Sequence, residues 1–550
     1  MFPVKRDLGR LSRQTYDILI VGGGIYGCVL AREAARRGLS VAVVDKGDFC
    51  SATSANSLKI IHGGIRYLQQ FDLLRLRQSA RERRILLQIA PHLVHPLRCA
   101  MPTFGHLLKS REALFCGMLA NDILSWDRNR GLPPDKRISM GRTGSRAEWL
   151  HVAPDIDDPR YTGVAFWQDA YAYNTERLGI GFLKAAVRAG ADAANYLEVA
   201  GFRRKGRDVT GATAVDRVTG KTVAIAATVT VLNTGPWTKH TLSLLGDKVS
   251  CPDFRLSLTM NIVLRRQLTS AYALGLPLYR EGWKKSRLYF FVPWRGRTMI
   301  GTHMRIHEGS PDTMSVTAQD LNSFISILNQ AHPGARIAPE DVSFVHAGLL
   351  PAEDRDVGPG EEPEPLPHFR IVDHAASDGL NGLLTVLGVK YTTARDVAAR
   401  TLTELEARLG PSIAPASRSP EPLPGGDFRD LGALVAEAEA AGFSPDTARH
   451  LIYNYGAEYR DVVRLGTADR ALLDPIGEGV MVLGAEVVHA IREEMAVTLA
   501  DVVLRRTDLA SAGLPNDAPL ERAAELMAGE LGWDEPRIRR EIEGIDLRRP

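Results

Sequence analysis

The sequence predicts an α/β fold in which a discontinuous, mostly parallel-sheet domain receives an inserted α+β domain and is followed by an α-helical domain. Three observations predict this fold. An apolar run at 18–21 leads straight into a glycine-rich turn, strand and helix patterns interleave through the middle of the chain, and a proline-rich segment precedes helical patterns only. A chain of 550 residues is also too long for one hydrophobic core, so two or three domains are expected.

The first elements form a strand–helix–strand unit. Residues 16–21 read as a buried parallel strand, residues 27–38 as a helix, and residues 40–45 as a second strand. Later segments continue the alternation of helices and strands. Helices are predicted at 72–89 and 107–126, and strands at 229–232, 288–292 and 383–387.

The linker and the last domain have their own signals. Segment 411–426 contains five prolines and ends in Gly-Gly, which is typical of a linker. After it, Ser444-Pro445 has the chemistry of a helix start, and apolar residues between 487 and 503 recur at helical spacing. The predicted domains are residues 15–90, 160–240 and 370–410 for the discontinuous domain, 91–159 and 241–369 for the insertion, and 427–550 for the C-terminal helical domain.

Composition excludes several classes of protein. The net charge is only +3, which argues against a nucleic-acid partner. Five separated cysteines without a Cys-x-x-Cys pair indicate neither a disulfide framework nor a metal site, and they fit a reducing cytoplasm. No apolar run reaches the length of a membrane span or resembles a signal peptide, so a cytoplasmic protein is expected.

The glycine-rich turn carries the first functional signal. Gly22, Gly24 and Gly27 form Gly-x-Gly-x-x-Gly between a strand and a helix, where missing side chains let the backbone approach a pyrophosphate. Asp45 ends the second strand, where an acid can bind ribose hydroxyls. The pattern predicts a Rossmann-like dinucleotide site, but it does not distinguish FAD from NAD.

Residues 53–68 distinguish FAD from NAD. They read Thr-Ser-Ala-Asn-Ser-Leu-Lys-Ile-Ile-His-Gly-Gly-Ile-Arg-Tyr-Leu, which resembles the flavin-contacting segment of FAD-dependent glycerol-3-phosphate dehydrogenases. Segments 233–237, 390–393 and 494–507 resemble other parts of that family, so the resemblance spans nearly the whole chain. It implies that the discontinuous domain binds FAD and that the insertion holds the substrate.

The resemblance implies a set of residues around FAD. Glycines let the backbone lie against a flat ring, and Thr392 and Thr393 are expected to cap a helix that begins near Ala394 and points at the flavin. Besides the nucleotide-site residues above, the implied FAD-binding residues are Thr53, Ser54, Ser57, Lys59, His62, Gly63, Gly64, Gly235, Lys390 and Thr392.

The implied substrate site departs from the family pattern at three places. Leu350 stands where the family has an arginine, Asn261 where it has a histidine, and His303 lies in an altered Gly-Thr-Thr-Asp motif. Losing one arginine–phosphate contact costs about 1.5–3 kcal/mol. The candidate substrate-binding residues are Arg66, Tyr67 and Lys390, and the catalytic candidates are His62, His303 and Lys390.

The implied function is oxidation of glycerol 3-phosphate to dihydroxyacetone phosphate, with hydride transfer to FAD and electrons passed to quinone. The altered site leaves a second hypothesis open, in which the donor is a different small hydroxy acid or an amine. A third hypothesis, from another class, is a flavoprotein that acts in assembly or sensing without turnover. A homodimer is compatible with each of them.

A last expectation concerns the membrane. Residues 72–89 carry five arginines among leucines, and residues 104–126 add apolar and aromatic side chains, a pattern typical of helices at a lipid interface. The family's peripheral attachment favours the cytoplasmic face of the inner membrane. The alternative is that both helices pack their apolar faces against neighbouring domains.

Overall fold

The structure is a computed structural model. It describes residues 3–105, 110–246, 249–269, 271–278, 287–355, 358, 361–410, 414, 420–514 and 516–545, apart from the side chains of residues 66, 69, 70 and 407. The described strands, in chain order, are β1 (Thr15–Val21), β2 (Val41–Val44), β3 (Ile60–Ile61), β4 (Val94–Phe104), β5 (Arg142–Ser145), β6 (Tyr161–Ala172), β7 (Asp192–Ala194), β8 (Leu197–Lys205), β9 (Asp208–Asp216), β10 (Thr222–Leu232), β11 (Arg255–Leu264), β12 (Ala273–Leu278), β13 (Arg287–Trp294), β14 (Arg297–His307), β15 (Val342–Ala352), β16 (Arg370–Asp373) and β17 (Leu383–Leu387).

The described helices are numbered in the same way. They are α1 (Leu8–Arg13), α2 (Ile25–Ala35), α3 (Leu73–Ile89), α4 (Arg111–Leu124), α5 (Arg146–Val152), α6 (Thr175–Arg188), α7 (Thr238–Ser243), α8 (Ala318–Ala331), α9 (His374–Asp378), α10 (Ala394–Leu409), α11 (Leu431–Ala440), α12 (Pro445–Tyr455), α13 (Tyr459–Arg464), α14 (Gly484–Glu494), α15 (Leu499–Asp501), α16 (Ala518–Leu531) and α17 (Glu535–Glu543).

The first sheet has the strand order β16-β17-β10-β1-β2-β7, and its central strands β17, β10, β1, β2 and β7 are parallel. Strand β1 is buried on both faces because helices cover one and the hairpin β8–β9 covers the other. Ile18 and Ile20 pack with apolar residues of α2, α6 and α10, whereas Leu19 and Val21 pack with those of β8 and β9. This double burial explains the continuous apolar run in the sequence.

The predicted strand–helix–strand unit is therefore confirmed, with small shifts at its ends. Helix α2 begins at Ile25, two residues earlier than expected, because Gly24 has extended backbone geometry and acts as the N-cap. Helix α3 matches the prediction closely. The predicted helix at 107–126 is observed as Arg111–Leu124, and residues 106–109 lie outside the described residues.

The second sheet has the order β15-β11-β14-β13-β12-β4-β6-β3, with β5 beside β6. Helix α8 packs on one face, where Phe324 and Leu328 meet the apolar side chains of β11 and β15. This sheet corrects the predicted domain boundaries, because β3 and β6 pair here although residues 60–61 and 161–172 were assigned to the other domain. Strand pairing between distant segments leaves no local trace in the sequence.

The C-terminal domain is helical, as predicted. Ser444 caps α12, and its hydroxyl accepts a hydrogen bond from the Thr447 N–H. The predicted apolar stripe at 487–503 is divided between two segments, because α14 ends at Glu494 and Met495 adopts a left-handed backbone with φ of 59°. Both segments still contribute to one core, through Val487 and Val503. No helix among the described residues is long and apolar enough to span a membrane.

The end of the predicted linker is firmly packed. Leu423 is buried, and its N–H donates to the Ile89 carbonyl at 2.7 Å. A Cβ on Gly425 would lie 2.1 Å from the Tyr455 carbonyl oxygen, so the chain passes tightly between α3 and α12. Residues 411–413 and 415–419 of the linker lie outside the described part of the chain.

Candidate functional site

The turn between β1 and α2 is shaped by two of its glycines. Gly22 has a φ of 102°, and a Cβ there would lie 2.5 Å from the Asn233 carbonyl oxygen. A Cβ on Gly27 would lie 1.9 Å from the Gly22 carbonyl oxygen. Since backbone cannot move aside cheaply, both positions require glycine for the fold itself.

Gly24 differs from those two glycines. A Cβ there would meet only the hydroxyl of Ser54, at 3.2 Å, so the surrounding protein leaves space above this residue. The Ile25 N–H at the N-terminus of α2 donates to that hydroxyl at 3.0 Å. A helix N-terminus with space beside a glycine fits a pyrophosphate group, which takes such N–H donors.

Asp45 closes β2 beside this turn. Its carboxylate accepts hydrogen bonds from the Gly23 N–H at 2.6 Å and from the Gly47 N–H at 2.9 Å. Burial raises the pKa of Asp45 to about 6, although the two N–H donors act in the opposite direction. Each oxygen has lone pairs left over, so the residue fits the ribose-binding role predicted from the sequence.

Asn233 is a candidate that the sequence analysis missed. It is buried between β10 and the turn at Gly235, and neither its amide nitrogen nor its amide oxygen has a partner among the described residues. A buried amide normally makes hydrogen bonds, so this side chain is poised to bind a ligand. The only signal in the sequence was its place before Gly235 in the motif 233–237.

The closing turn at 388–393 is fixed to the glycine-rich turn by Tyr26. The Tyr26 hydroxyl donates to the Lys390 carbonyl at 2.8 Å and accepts from the N–H groups of Val389 and Lys390 at 3.1 and 3.0 Å. A Cβ on Gly388 would lie 2.1 Å from the Tyr26 ring. Segments more than 360 residues apart are thus joined at this point.

Helix α10 begins at Ala394, as predicted, but not through the predicted caps. Thr393 occupies the N-cap position without a side-chain hydrogen bond to the helix, and its hydroxyl donates to the Lys390 carbonyl at 3.4 Å. The turn Tyr391–Thr393 leads directly into the helix instead. Thr392 is buried in this turn, beside Lys390.

His62 lies at the start of the segment that resembles a flavin site. Its side chain is 48% exposed, and its Nδ1 lies 3.3 Å from a carboxylate oxygen of the buried Asp169. Burial would raise the pKa of Asp169, but the hydrogen bond and charge of His62, together with the charge of Arg83 and the Gly63 N–H, lower it to about 2. An accessible imidazole with an ionised carboxylate behind it can accept a proton.

The two glycines after His62 serve packing in a way that the sequence did not suggest. A Cβ on Gly63 would lie 2.1 Å from an Arg83 guanidinium nitrogen, and a Cβ on Gly64 would lie 3.0 Å from the Leu76 Cα. Gly64 also has a φ of 90°. Both glycines therefore allow this turn to pack against α3, in addition to the contact with a flat ring that the sequence predicts.

The remaining residues of segment 53–59 attach it to its surroundings. Thr53 donates to the Leu349 carbonyl at 2.7 Å, and the Ser57 hydroxyl accepts from the Lys59 N–H at 3.2 Å. Lys59, one of the implied FAD-binding residues, has its ammonium inside the protein. That ammonium is buried and pairs with Glu176 at 2.6 Å, so its charge is already compensated inside the protein.

Basic groups gather near the closing turn. The Lys390 ammonium lies 4.4 Å from the centre of the Tyr67 ring, and the Arg75 guanidinium lies 5.0 Å from it. The ring therefore holds two cations close together by cation–π attraction. The side chain of Arg66 lies outside the described part of the chain.

The catalytic role predicted for His303 is not supported. His303 stacks on Phe324 of α8 with 5.2 Å between ring centroids, and its Nδ1 lies 2.7 Å from Glu362. His303 therefore lies on the face of the second sheet that α8 covers. Asn261 points to the other face, where its side-chain amide donates to the Asn56 carbonyl. Met260 and Asn261 are consecutive on β11 and therefore point to opposite faces, and the register shift between them pairs His303 with Met260 on the covered face.

Leu350, the third altered position, lies on β15 and is partly exposed. It pairs with Ser257 of β11, and Gly348, two residues earlier on the same strand face, packs against Thr53. Leu350 is therefore on the sheet face that meets segment 53–59. An apolar side chain therefore occupies this position on that face.

The glycine-rich turn, Asp45 and the closing turn define a dinucleotide-binding oxidoreductase. Residues 17–395 match the family model described as FAD dependent oxidoreductase, and residues 419–538 match the C-terminal domain of alpha-glycerophosphate oxidase. The chain belongs to the FAD dependent oxidoreductase family. It is an enzyme, and FAD is its cofactor.

Individual relatives agree with this assignment. The chain is 29% identical to glycerol-3-phosphate dehydrogenase from Synechocystis sp., with 98% of this chain and 97% of the relative covered. It is 27% identical to aerobic glycerol-3-phosphate dehydrogenase from Staphylococcus aureus, over 90% and 87% of the two chains. The fold is similar to that of glycerol-3-phosphate dehydrogenase from Bacillus halodurans complexed with FAD, with a TM-score of 0.77, 23% identity, and 100% and 98% coverage.

Proposed function

We propose that this enzyme oxidises glycerol 3-phosphate to dihydroxyacetone phosphate and passes the electrons to a quinone. The relatives above carry the name glycerol-3-phosphate dehydrogenase and match this chain over almost its whole length. When bound, FAD supplies the acceptor for the hydride that leaves the substrate carbon. The nucleotide residues are Gly22, Gly24, Gly27, Asp45 and, by this proposal, Asn233.

One observation carries the chemical part of the proposal: His62 is an accessible imidazole whose Nδ1 is already engaged by Asp169. Oxidation of an alcohol needs a base for the hydroxyl proton, and the Nε2 of His62 has no hydrogen-bond partner among the described residues. His62 therefore takes that proton. Thr53, Ser54, Ser57, Gly63 and Gly64 shape the adjoining wall.

The phosphate of the substrate is assigned to the cations near the closing turn. Lys390 lies on the Tyr67 ring, and Arg66 precedes that tyrosine in the chain. Charge-assisted hydrogen bonds from such groups hold a phosphate in place and orient the reacting carbon. Gly235 and Thr392 complete the cofactor side of the site.

A second candidate substrate class is a different small hydroxy acid or an amine. The observation that favours it is Leu350, an apolar side chain on the sheet face that meets segment 53–59. Leucine offers no hydrogen bond to a phosphate, and it would pack better against an apolar substituent. A flavoprotein without turnover is the third candidate, from a different class.

Anaerobic bleaching of the flavin separates these candidates. Purified holoenzyme is mixed with glycerol 3-phosphate, glycerol, lactate, 2-hydroxyglutarate or amino acids, and flavin absorbance is followed. Bleaching by glycerol 3-phosphate at the lowest concentration supports the proposal. Preferential bleaching by another donor supports the second candidate, and no bleaching by any donor supports the third.

We also propose peripheral attachment to the membrane, where a quinone would be reached. Helix α4 has an exposed apolar face, with Phe115 at 48%, Ile123 at 64% and the adjacent Trp126 at 72% exposure. Phe71 and Leu74 near the start of α3 are 89% and 87% exposed. Apolar and aromatic side chains of this kind enter a lipid interface, whereas a monomer in water seldom exposes so many together.

By this proposal, the arginines of α3 contribute less to that attachment than the sequence suggested. All five have carboxylate partners: Arg75 with Asp72, Arg77 and Arg84 with Asp127, Arg81 with Asp396, and Arg83 with Asp169. Their positive charges are therefore largely compensated by carboxylates within the protein. Attachment would then depend mainly on burial of apolar side chains in the lipid interface. A homodimer that covers the same face is the competing explanation for the exposed apolar side chains of α4.

A further inference from the structure

The carboxylate that contacts His62 accepts more hydrogen bonds than the carboxylate of an ordinary surface ion pair does. Asp169 lies on β6 and is buried, and its two oxygens accept hydrogen bonds from three separate parts of the chain. The Gly63 N–H donates at 2.6 Å, Arg83 at 2.8 Å, and the Trp167 indole N–H at 3.3 Å. Side chain and backbone together fix the position of this carboxylate.

That arrangement determines which nitrogen of His62 carries hydrogen. An ionised carboxylate can only accept hydrogen bonds, so the Nδ1 of His62, 3.3 Å from Asp169, must be the donor. The neutral ring then has its lone pair on Nε2. Phe290, with its ring centroid 6.0 Å from that of His62, borders the ring.

We propose that Asp169 is the positioning residue of the reaction: it holds His62 in the tautomer that presents Nε2 to the substrate hydroxyl and compensates the charge that His62 gains. The inference rests on the proposed function, because it takes His62 as the proton acceptor. Asp169 itself touches no substrate. It acts through His62 alone.

The proton and electron balance is simple. The substrate O–H proton moves to Nε2 of His62, and the electron pair of that bond forms the carbonyl as the carbon loses hydride to the two-electron acceptor. His62 becomes a cation, and the negative charge of Asp169 lies next to it. Asp169 keeps its charge and forms no covalent bond.

Two other titratable groups near this pair lie on α3 and β4. Arg83 of α3 contacts Asp169 directly, and Cys99 of β4 feels its charge. Burial and the charge of Asp169 raise the pKa of Cys99 well above its usual value, so that thiol stays neutral. Arg83 therefore balances Asp169 in the resting enzyme, and protonation of His62 adds a single positive charge.

The test uses holoenzyme with Asp169→Asn, which keeps the shape and removes the charge. We expect kcat to fall by about 100-fold, within the range that a general base supplies, with KM changed by less than about 3-fold. The acid limb of the kcat/KM profile should move to lower pH, because a neutral neighbour no longer favours the protonated ring. An unchanged limb with an equally large loss of kcat would overturn the proposal.

The control is Asp122→Asn. Asp122 is also a buried aspartate that accepts from a backbone N–H, that of Gly141, and pairs with an arginine, Arg128. Its substitution should lower stability without moving the pH profile. A shift of the profile as large as that of Asp169→Asn would mean that any buried aspartate has this effect, and the proposal would fall.

A second measurement does not depend on the substrate. In ¹⁵N-histidine-labelled holoenzyme, with His62→Gln used for assignment, long-range ¹H–¹⁵N spectra should show His62 protonated at Nδ1 in the wild type. The Nε2–H form should appear in Asp169→Asn. If wild-type His62 carries its hydrogen on Nε2, the inference is refuted, even if the variant does not fold. If no hydroxy substrate bleaches the flavin, only the proposed function is refuted.

Discussion

Asp48 and Arg506 form a doubly hydrogen-bonded ion pair between the loop after β2 and the C-terminal domain, although 458 residues separate them. Both side chains are fully buried, and Arg505 also bonds Asp48. Burial opposes ionisation, but the charges of the two arginines hold the pKa of Asp48 well below its usual range. The C-terminal domain is thereby fixed three residues from Asp45 of the nucleotide site.

The first prediction is that Arg506→Met strongly destabilises the protein. The change leaves the Asp48 charge buried with fewer partners, and breaking a buried pair costs about 3–5 kcal/mol. Thermal unfolding of the holoenzyme followed by flavin fluorescence measures the loss. Arg492→Met is the control, because Arg492 pairs with Glu530 at the surface, where a pair contributes about 1 kcal/mol or less. Equal shifts for both variants would contradict the prediction.

The second prediction separates two roles of glycine in one motif. Gly24→Val should give a folded protein without flavin, because its side chain fills the space left for the pyrophosphate. Gly27→Val should fail to fold, since its Cβ would lie 1.9 Å from the Gly22 carbonyl oxygen. Circular dichroism and the flavin content of the purified protein distinguish the outcomes. A full complement of FAD in Gly24→Val would remove this turn from the cofactor site.

The third prediction concerns pH and Asp45. Its pKa of about 6 in the fold lies above that of an unfolded aspartate, about 3.9, so ionisation costs folding free energy. The cost is absent below about pH 4 and complete above about pH 6. In protein stripped of FAD, Asp45→Asn should therefore be more stable than wild type at pH 7 by about 1–3 kcal/mol and equal to it near pH 4.

The same substitution should weaken FAD binding, because an amide replaces a carboxylate acceptor for the ribose hydroxyls. Denaturant unfolding at the two pH values and titration with FAD at pH 7 are the measurements. A difference in stability that is the same at both pH values would show that ionisation of Asp45 is not its cause.

Much of the nucleotide site could be predicted because its signals are local. The run from Tyr16 to Asp45 contains a strand, a turn, a helix, a second strand and an acid in sequence order, and the structure has each of them. Burial on both faces of β1 produced an apolar run that reads as a strand by itself.

The features that the sequence could not show depend on partners far away in the chain. Nothing near Lys59 shows that Glu176, 117 residues later, neutralises it. The arginines of α3 looked like a membrane surface because their carboxylate partners lie in other segments, such as Asp127 and Asp396. The sequence could not show which sheet face His303 occupies, because a register shift between strands is a tertiary feature.

The fourth prediction tests the assignment of the phosphate to Lys390. Lys390→Met should raise KM for a phosphorylated substrate by about 10- to 100-fold, the equivalent of one charge-assisted hydrogen bond, with a smaller change in kcat. Lys239→Met is the control, because the ammonium of Lys239, on α7, donates to the Phe254 carbonyl. Unchanged KM in Lys390→Met would remove the residue from the site.

Leu350→Arg is the reciprocal change. A guanidinium on the sheet face that meets segment 53–59 should lower KM for glycerol 3-phosphate if a missing cation limits binding there. Steady-state kinetics with glycerol as a substrate without phosphate provides the comparison. Equal effects on both substrates would mean that Leu350 does not lie near the phosphate.

The last prediction concerns the exposed face of α4. Ile123→Glu combined with Trp126→Glu should abolish sedimentation with anionic vesicles, because charged side chains cannot enter the lipid interface. Val218→Glu is the control, since Val218 is 49% exposed in the turn between β9 and β10. Wild-type binding should persist at high salt, because the α3 arginines already have partners and apolar burial remains the main attraction. Binding that disappears with salt would point to charge instead. A wild-type dimer that becomes a monomer in the double variant, with no vesicle binding by either, would assign this face to a second copy of the chain.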